Sequence, residues 1–317
     1  MGTILVTGSS GWLGRHIVPM LCARGDRVIG FDAAPSGWTD VVGSVADRAA
    51  VDALFESHEI DGVIHAAALH KPDIARYPQQ TFVDVNVSGT LALLEAASAR
   101  PGTPFVFTST TSLMISQAVR AERADEAAWL DEATGPLEPR NIYGVTKLAA
   151  EGLCRQHAQE RGLATIVLRT ARFFPEDDDT LDVLSGPNLK ANELLHRRAT
   201  VEDMARAHLA SLDAARRIGF GLYLVSAPTP FERSDAGALK TGAASVIARS
   251  FPEAASLYAA RGWRLPATIN RVYDGSRIER ELGFAYETRF ADVLTALREG
   301  RAPPPTHDSG YASPLIS

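Results

Sequence analysis

Seven short, continuously apolar runs, spaced by helix-like stretches, constrain this chain more than any other feature. The runs are residues 3–7, 27–31, 41–43, 62–65, 105–108, 165–169 and 222–225. A strand with one wet face alternates apolar and polar residues, whereas a continuous apolar run suits a strand covered on both sides, as in a parallel sheet. The stretches between them, 12–23, 47–56, 78–99, 142–159 and 201–215, read as helices. That order predicts an α/β fold, a doubly wound parallel sheet with helices on both faces.

The alternation breaks at Phe173-Phe174-Pro175, and from there to Arg198 the chain is polar and loop-like. After residue 225 it turns irregular again, with helices expected at 277–282 and 289–298. The expected division is a nucleotide-binding domain of residues 1–170 completed by 200–226, and a small C-terminal substrate lobe from 171–199 and 227–301. Residues 302–317 are proline-led and read as a poorly ordered tail. A net charge of −6 over 317 residues argues against nucleic acid or an anionic membrane as partner. No apolar run approaches the ~20 residues of a membrane span, and the first six residues lack the basic start of a signal peptide. Cys22 and Cys154 read as packing thiols in a reducing cytoplasm. No His/Cys cluster has metal-ligand spacing, and the acidic run 176–179 reads as a solvated loop, so no metal is expected.

Between the first strand and the first helix lies Gly8-Ser9-Ser10-Gly11-Trp12-Leu13-Gly14. A glycine turn there lets the backbone approach a pyrophosphate, and the following helix start offers free N–H groups. The bland alternative is a tight βα turn. The second strand leads into Asp32, whose carboxylate suits ribose hydroxyls and repels a 2′-phosphate, so NAD is expected over NADP; Arg15 is the competing cation. Ala66 and Ala67 follow the fourth strand, small enough for a ribose or flat ring to come close, or simply for a packed turn. Tyr143 and Lys147 lie one helical turn apart on one face, and Thr110 stands just after the fifth apolar run. Together they read as a hydride-transfer site, with a phenol to move a proton, an ammonium to lower its pKa, and a hydroxyl to hold a substrate oxygen.

With these motifs in this order, the chain resembles the extended short-chain dehydrogenases/reductases of the NAD-dependent epimerase/dehydratase family. The matching text includes Thr7–Gly14, Asp32, Ile64–Ala67, Asn86–Thr90, Phe105–Thr110, Tyr143–Lys147 and Leu168-Arg169. The resemblance implies a Rossmann domain with a C-terminal substrate lobe. It implies Tyr143 as catalytic acid/base, Lys147 as its partner on the nicotinamide ribose, and Thr110 on the substrate oxygen. It further implies that Asn86 holds backbone or water beside the active-site helix and that Ser44 and Val45 face the adenine, although the family usually has an acid where Ser44 stands. Two long helices, 78–99 and 142–159, would pair between copies in a homodimer, the first carrying Phe82, Val85, Leu91, Leu93 and Leu94.

Family dehydratases carry an Asp-Glu pair where Thr111 and Ser112 stand, so a dehydratase is not expected. Met114-Ile115 replaces an aromatic-glycine pair, and the stretch 175–198 is short for gripping a nucleotide diphosphate. The expectation is therefore an NAD-dependent oxidoreductase acting on a secondary alcohol or ketone of a sugar-like small molecule. Its substrate contacts are sought among His70, Thr111, Arg172, Asn188 and Arg198. A nucleotide-sugar epimerase is the alternative, and a non-catalytic NAD sensor on the same fold is the rival from another class.

Overall fold

A computed structural model describes residues 2–177 and 184–315. In chain order its elements begin β1 (Thr3–Thr7), α1 (Gly14–Ala23), β2 (Arg27–Asp32), β3 (Val41–Val42), α2 (Arg48–Ser57) and β4 (Gly62–His65). Next come α3 (Gln79–Val83), a π turn (Asp84–Ser88), α4 (Gly89–Ser98), β5 (Phe105–Thr110), α5 (Gln117–Ala121), β6 (Ala128–Leu130) and α6 (Ile142–Arg161). They continue with β7 (Thr165–Thr170), α7 (Gly186–Glu193), α8 (Val201–Ile218), β8 (Phe220–Val225), α9 (Ala236–Ser250) and α10 (Ala254–Ala260). Last are β9 (Arg271–Tyr273), α11 (Ser276–Leu282) and α12 (Phe290–Arg298).

The main sheet has seven strands in the order β3-β2-β1-β4-β5-β7-β8, and every pairing is parallel. The chain runs outward from β1 to one edge, then returns to build the other half, so the strand ends diverge beside β1 and β4 and leave a crevice there. Alternate residues feed alternate faces. Ile64, Val106, Ile166 and Leu168 pack with Ile17, Leu21 and Met204 on one side, in a core that continues through Tyr258 of α10 and Phe290 of α12. Val63, Phe105, Phe107 and Val167 pack with Phe82, Leu93 and Tyr143 on the other.

Several features differ from the sequence expectation. The helix expected over 78–99 is interrupted by the π turn at Asp84–Ser88. The loop expected before Arg198 contains α7, and the irregular stretch after β8 contains α9 and α10. A small parallel sheet joins β6, from within the first 170 residues, to β9, from beyond residue 226. Of the apolar side chains expected to face a second copy, Phe82, Val85, Leu93 and Leu94 are buried inside the chain. Cys154 is buried, but Cys22 is exposed. Residues 302–315, expected as a loose tail, lie back on the fold: Pro305 is buried, and the Asp308 amide donates to the Pro175 carbonyl at 2.9 Å. Of the acidic run, Asp178 and Asp179 lie outside the described residues.

Candidate active site

The glycine turn follows from three local demands. Gly8 has φ +75°, and a Cβ on it would come within 2.6 Å of the Ala67 amide nitrogen, so the ends of β1 and β4 meet only over a glycine. A Cβ on Gly14 would stand 2.1 Å from the Gly8 carbonyl oxygen, so the start of α1 packs only as glycine. Gly11 differs: only the Gly8 carbonyl oxygen, at 3.3 Å, is near the place a Cβ would take. Packing does not demand a glycine there, but the approach of a pyrophosphate would. Asp32 braces the turn, accepting from the amides of Ser10 and Ala34, each at 2.9 Å. A carboxylate offers about four lone-pair sites, so ribose hydroxyls still find acceptors on it. Burial pushes its pKa up, and these amides pull it back. The Ser10 hydroxyl is spent on the Ala34 carbonyl at 2.6 Å. Gly11, Trp12, Asp32, Ser44, Val45, Ala66 and Ala67 all line one cleft. Leu13 is buried beneath the turn.

His65 locks the floor of this cleft. Thr90 Oγ1 spends its proton on the Asn86 carbonyl at 2.8 Å, so it accepts from His65 Nε2 at 2.9 Å. Nδ1 is then the acceptor for the Thr7 hydroxyl at 2.7 Å, and Thr7 Oγ1 accepts from the Ala67 amide at 3.2 Å. One neutral tautomer satisfies the whole set, and burial holds His65 down at about 3.

Beyond the cradle, α6 presents the phenol and ammonium. Asn141 caps it, its side chain accepting from the Gly144 amide at 2.9 Å, which places Tyr143 and Lys147 in the first two turns. Thr110, at the end of β5, acts on the Tyr143 phenol, while its own hydroxyl donates to Ser112 Oγ at 3.1 Å. Lys147 Nζ donates to the Thr108 carbonyl at 2.7 Å and lies 4.6 Å from the Phe107 ring centre. Burial raises the phenol to about 12 and lowers the ammonium to about 7. The expected lowering of the phenol by Lys147 is therefore not what dominates here; desolvation is. Asn86, in the π turn, reaches both ways: its amide exchanges bonds with the Leu69 backbone at 2.9 and 3.1 Å and donates to Thr146 on α6 at 3.1 Å. The widened turn brings it there, as π turns do at functional sites.

The family model described as "NAD dependent epimerase/dehydratase family" matches residues 4–183, more than half of the chain. The chain belongs to the NAD-dependent epimerase/dehydratase family. Within it, a UDP-glucose 4-epimerase of Rhizobium leguminosarum bv. trifolii is 33% identical over 175 residues, 53% of this chain and 50% of that protein. An L-arabinose 1-dehydrogenase (NAD(P)(+)) of Haloferax volcanii is 32% identical over 182 residues, 56% of this chain and 70% of that one. The chain spans about half the length of the epimerases it matches. A short-chain dehydrogenase/reductase superfamily protein from Agrobacterium tumefaciens, solved with NAD, superimposes with a TM-score of 0.63 at 25% identity, covering 94% of this chain and 98% of that one. A Thermotoga maritima UDP-glucose 4-epimerase solved with UDP-glucose gives 0.66 at 20% identity over 94% of this chain and 97% of that one, a likeness of fold. As an enzyme of the NAD-dependent epimerase/dehydratase family the chain takes NAD, and its glycine turn and Asp32 fit that dinucleotide.

The family member's other candidate residues divide. His70 reaches the cleft, its ring 5.9 Å from that of Tyr143 and 5.3 Å from Phe174, with burial holding it down at about 3. Thr111 instead donates to the Thr170 carbonyl at 3.3 Å. The Asn188 amide is spent on the backbone of Arg264, at 2.9 and 3.0 Å. Arg198 is buried against Glu193 at 2.7 Å and the Phe174 carbonyl at 3.1 Å. Arg172 also meets Glu193, at 3.0 Å, but is partly exposed. Glu193 thus sits among Arg172, Arg197 and Arg198, which hold its carboxyl far below the usual range. Asp73, Phe174 and Tyr311 line the cleft without having been expected there. Only Asp73 had a sequence signal: it stands three residues after His70 and accepts from the His70 amide at 2.8 Å, a helix-start pattern.

Proposed function

We propose that this chain is an NAD-dependent oxidoreductase of a secondary alcohol or ketone on a sugar-like small molecule, with Thr110, Tyr143 and Lys147 as its working set. One observation carries this: Tyr143 and Lys147 stand one turn apart near the start of α6, with Thr110 at the end of β5 and Lys147 Nζ bonded to the Thr108 carbonyl of the same strand. When bound, NAD supplies the nicotinamide that exchanges hydride with substrate carbon. Thr110 orients the substrate oxygen. The Tyr143 phenol, protonated at neutral pH, donates to a carbonyl oxygen or takes the hydroxyl proton in the reverse direction. Lys147, when charged, favours the phenolate beside it. A sensor has no use for such a set.

A small substrate is favoured because Asn188 and Arg198, the lobe groups nearest in sequence to a diphosphate grip, are committed within the protein. The second reading, a nucleotide-sugar epimerase, is favoured by the names of the curated relatives. The test is kcat/KM for free sugars and sugar acids against uridine- and guanosine-diphosphate sugars, following both NADH and epimer formation. Preference for the free series supports the proposal, and a large preference for the linked series turns it into the epimerase. No turnover on either, with NAD still bound, leaves the sensor.

A homodimer in the cytoplasm completes the proposal. At the helices expected to pair, Leu91 stays partly exposed and Val145 is 48% exposed. Light scattering at micromolar concentration tests the pairing, with a monomer mass as the refuting result.

A further inference from the structure

Residues 302–315 pack back on the fold, and three of them, Tyr311, Ser313 and Pro314, line the dinucleotide cleft. Two contacts anchor the segment. His307 Nε2 lies 3.6 Å from an Asp177 carboxylate oxygen, and the Asp308 amide donates to the Pro175 carbonyl at 2.9 Å. From that anchor Tyr311 reaches the glycine turn. Its ring meets Trp12 edge-on, centroids 5.1 Å apart, and the Arg15 guanidinium lies 5.7 Å from its centre. Tyr311, Ser313 and Pro314 line the cleft together with Gly8, Gly11 and Asp32.

The segment borders the cradle through these three residues. Apart from the Gly8 carbonyl oxygen and the chain neighbours Ser10 and Trp12, no described residue lies within 4 Å of the Cβ position of Gly11, where a pyrophosphate would approach. With the segment in place the cleft has a cavity volume of about 90 Å³, below the range of small-molecule pockets, so a dinucleotide enters only as the segment shifts outward. Under the Tyr311 ring, Trp12 Nε1 and Arg15 Nε are buried with no hydrogen-bond partner among the described residues. Buried N–H donors of that kind call for an acceptor, and phosphate oxygens are acceptors.

We propose that residues 307–315 form the outer wall of the cofactor site, with Tyr311 retaining the phosphate-bearing middle of the dinucleotide. This rests on the NAD reading of the cradle. Release of the cofactor then requires the segment to lift, so Tyr311 governs how long NAD or NADH stays bound. Long retention suits a catalyst that returns its hydride to the same substrate, and in a dehydrogenase it makes release slow.

The test needs no substrate. NADH release is followed by stopped-flow fluorescence, chasing with excess NAD, for the full chain and for Tyr311→Ala and Tyr311→Phe. The alanine variant should release NADH roughly tenfold faster, the scale of one lost ring and cation contact, while phenylalanine, which keeps the ring, should stay near wild type. In the unaltered protein, NAD should slow hydrogen exchange at the Asp308 amide, a readout independent of how the variants fold. Unchanged release from Tyr311→Ala, tighter NADH binding by it, or exchange at Asp308 indifferent to NAD would each overturn the proposal. Failure of the unaltered chain to bind NADH would instead overturn the reading of the cradle itself.

Discussion

Tyr143 and Lys147 share one helical face, and burial moves them in opposite directions, the phenol up to about 12 and the ammonium down to about 7. Both shifts favour neutral forms, as expected where water is excluded. The phenol is thus a ready proton donor to a carbonyl, and it becomes a base in the fraction of molecules whose Lys147, at about 7, is charged. Tyr143→Phe keeps the ring in its packing and removes only the proton. Turnover should fall by about two to four decades with NADH binding retained; turnover near wild type would place the acid/base elsewhere. Asp32 makes the matching case for the coenzyme. Its carboxylate faces the cleft with two amides already bound, and a 2′-phosphate there would meet negative charge. Fluorescence titration should find NADH bound more tightly than NADPH. The opposite order would point to Arg15, which now donates to the Ser10 carbonyl at 3.0 Å.

At the scale of elements, the glycine turn separates two roles that one motif conceals. Gly14→Ala drives a Cβ against the Gly8 carbonyl oxygen and should lower the melting temperature markedly. Gly11→Ala meets little protein and should melt near wild type while weakening NAD binding tenfold or more. Equal loss of stability in both variants would mean that the turn is only structural. The same contrast explains what was legible beforehand. The sheet strands are visible because each is an unbroken apolar run, and Thr110, Tyr143 and Lys147 because they follow such runs in a fixed order; Asn86 stands out only through the family resemblance. Helix α7 is invisible because it has no apolar stripe: Asn188, Lys190, Asn192 and Glu193 are buried through polar partners instead. Helix α9, largely small residues, lacks contrast for the same purpose. β6 and β9, three residues each, carry too little pattern to register. Tyr311 could not be foreseen, because only the fold brings residues 302–315 back to the first glycine turn.

Across the whole molecule, histidines join distant elements and carry a shared response to pH. His65 ties β1 and β4 to α4. His208, on α8, bonds the Met204 carbonyl at 2.7 Å through Nδ1, which makes Nε2 the acceptor for the Thr108 hydroxyl of β5 at 2.9 Å. His196 bonds the Arg271 carbonyl across to β9 at 2.9 Å. Burial holds these rings at about 3, 4 and 3 against an ordinary 6.5. The unfolded chain therefore takes up protons below pH 6.5 that the folded chain refuses until pH 3 to 4. Stability is fully present above 6.5 and falls as pH drops through that window, by about 1 kcal/mol per ring at pH 5.5. Glu193, also held low by its arginines, adds a loss of the same sign once pH falls through its ordinary range near 4.5. Lys147 acts higher, where its lowered pKa makes stability rise between pH 7 and 10.5. Urea melts at pH 7 and 5.5 should accordingly differ by a few kcal/mol, and His208→Gln, which can still accept from Thr108, should narrow the gap. Equal stability at the two pH values would mean that these rings are solvated or charged in the native state, and the neutral tautomers assigned to His65 and His208 would fall with them.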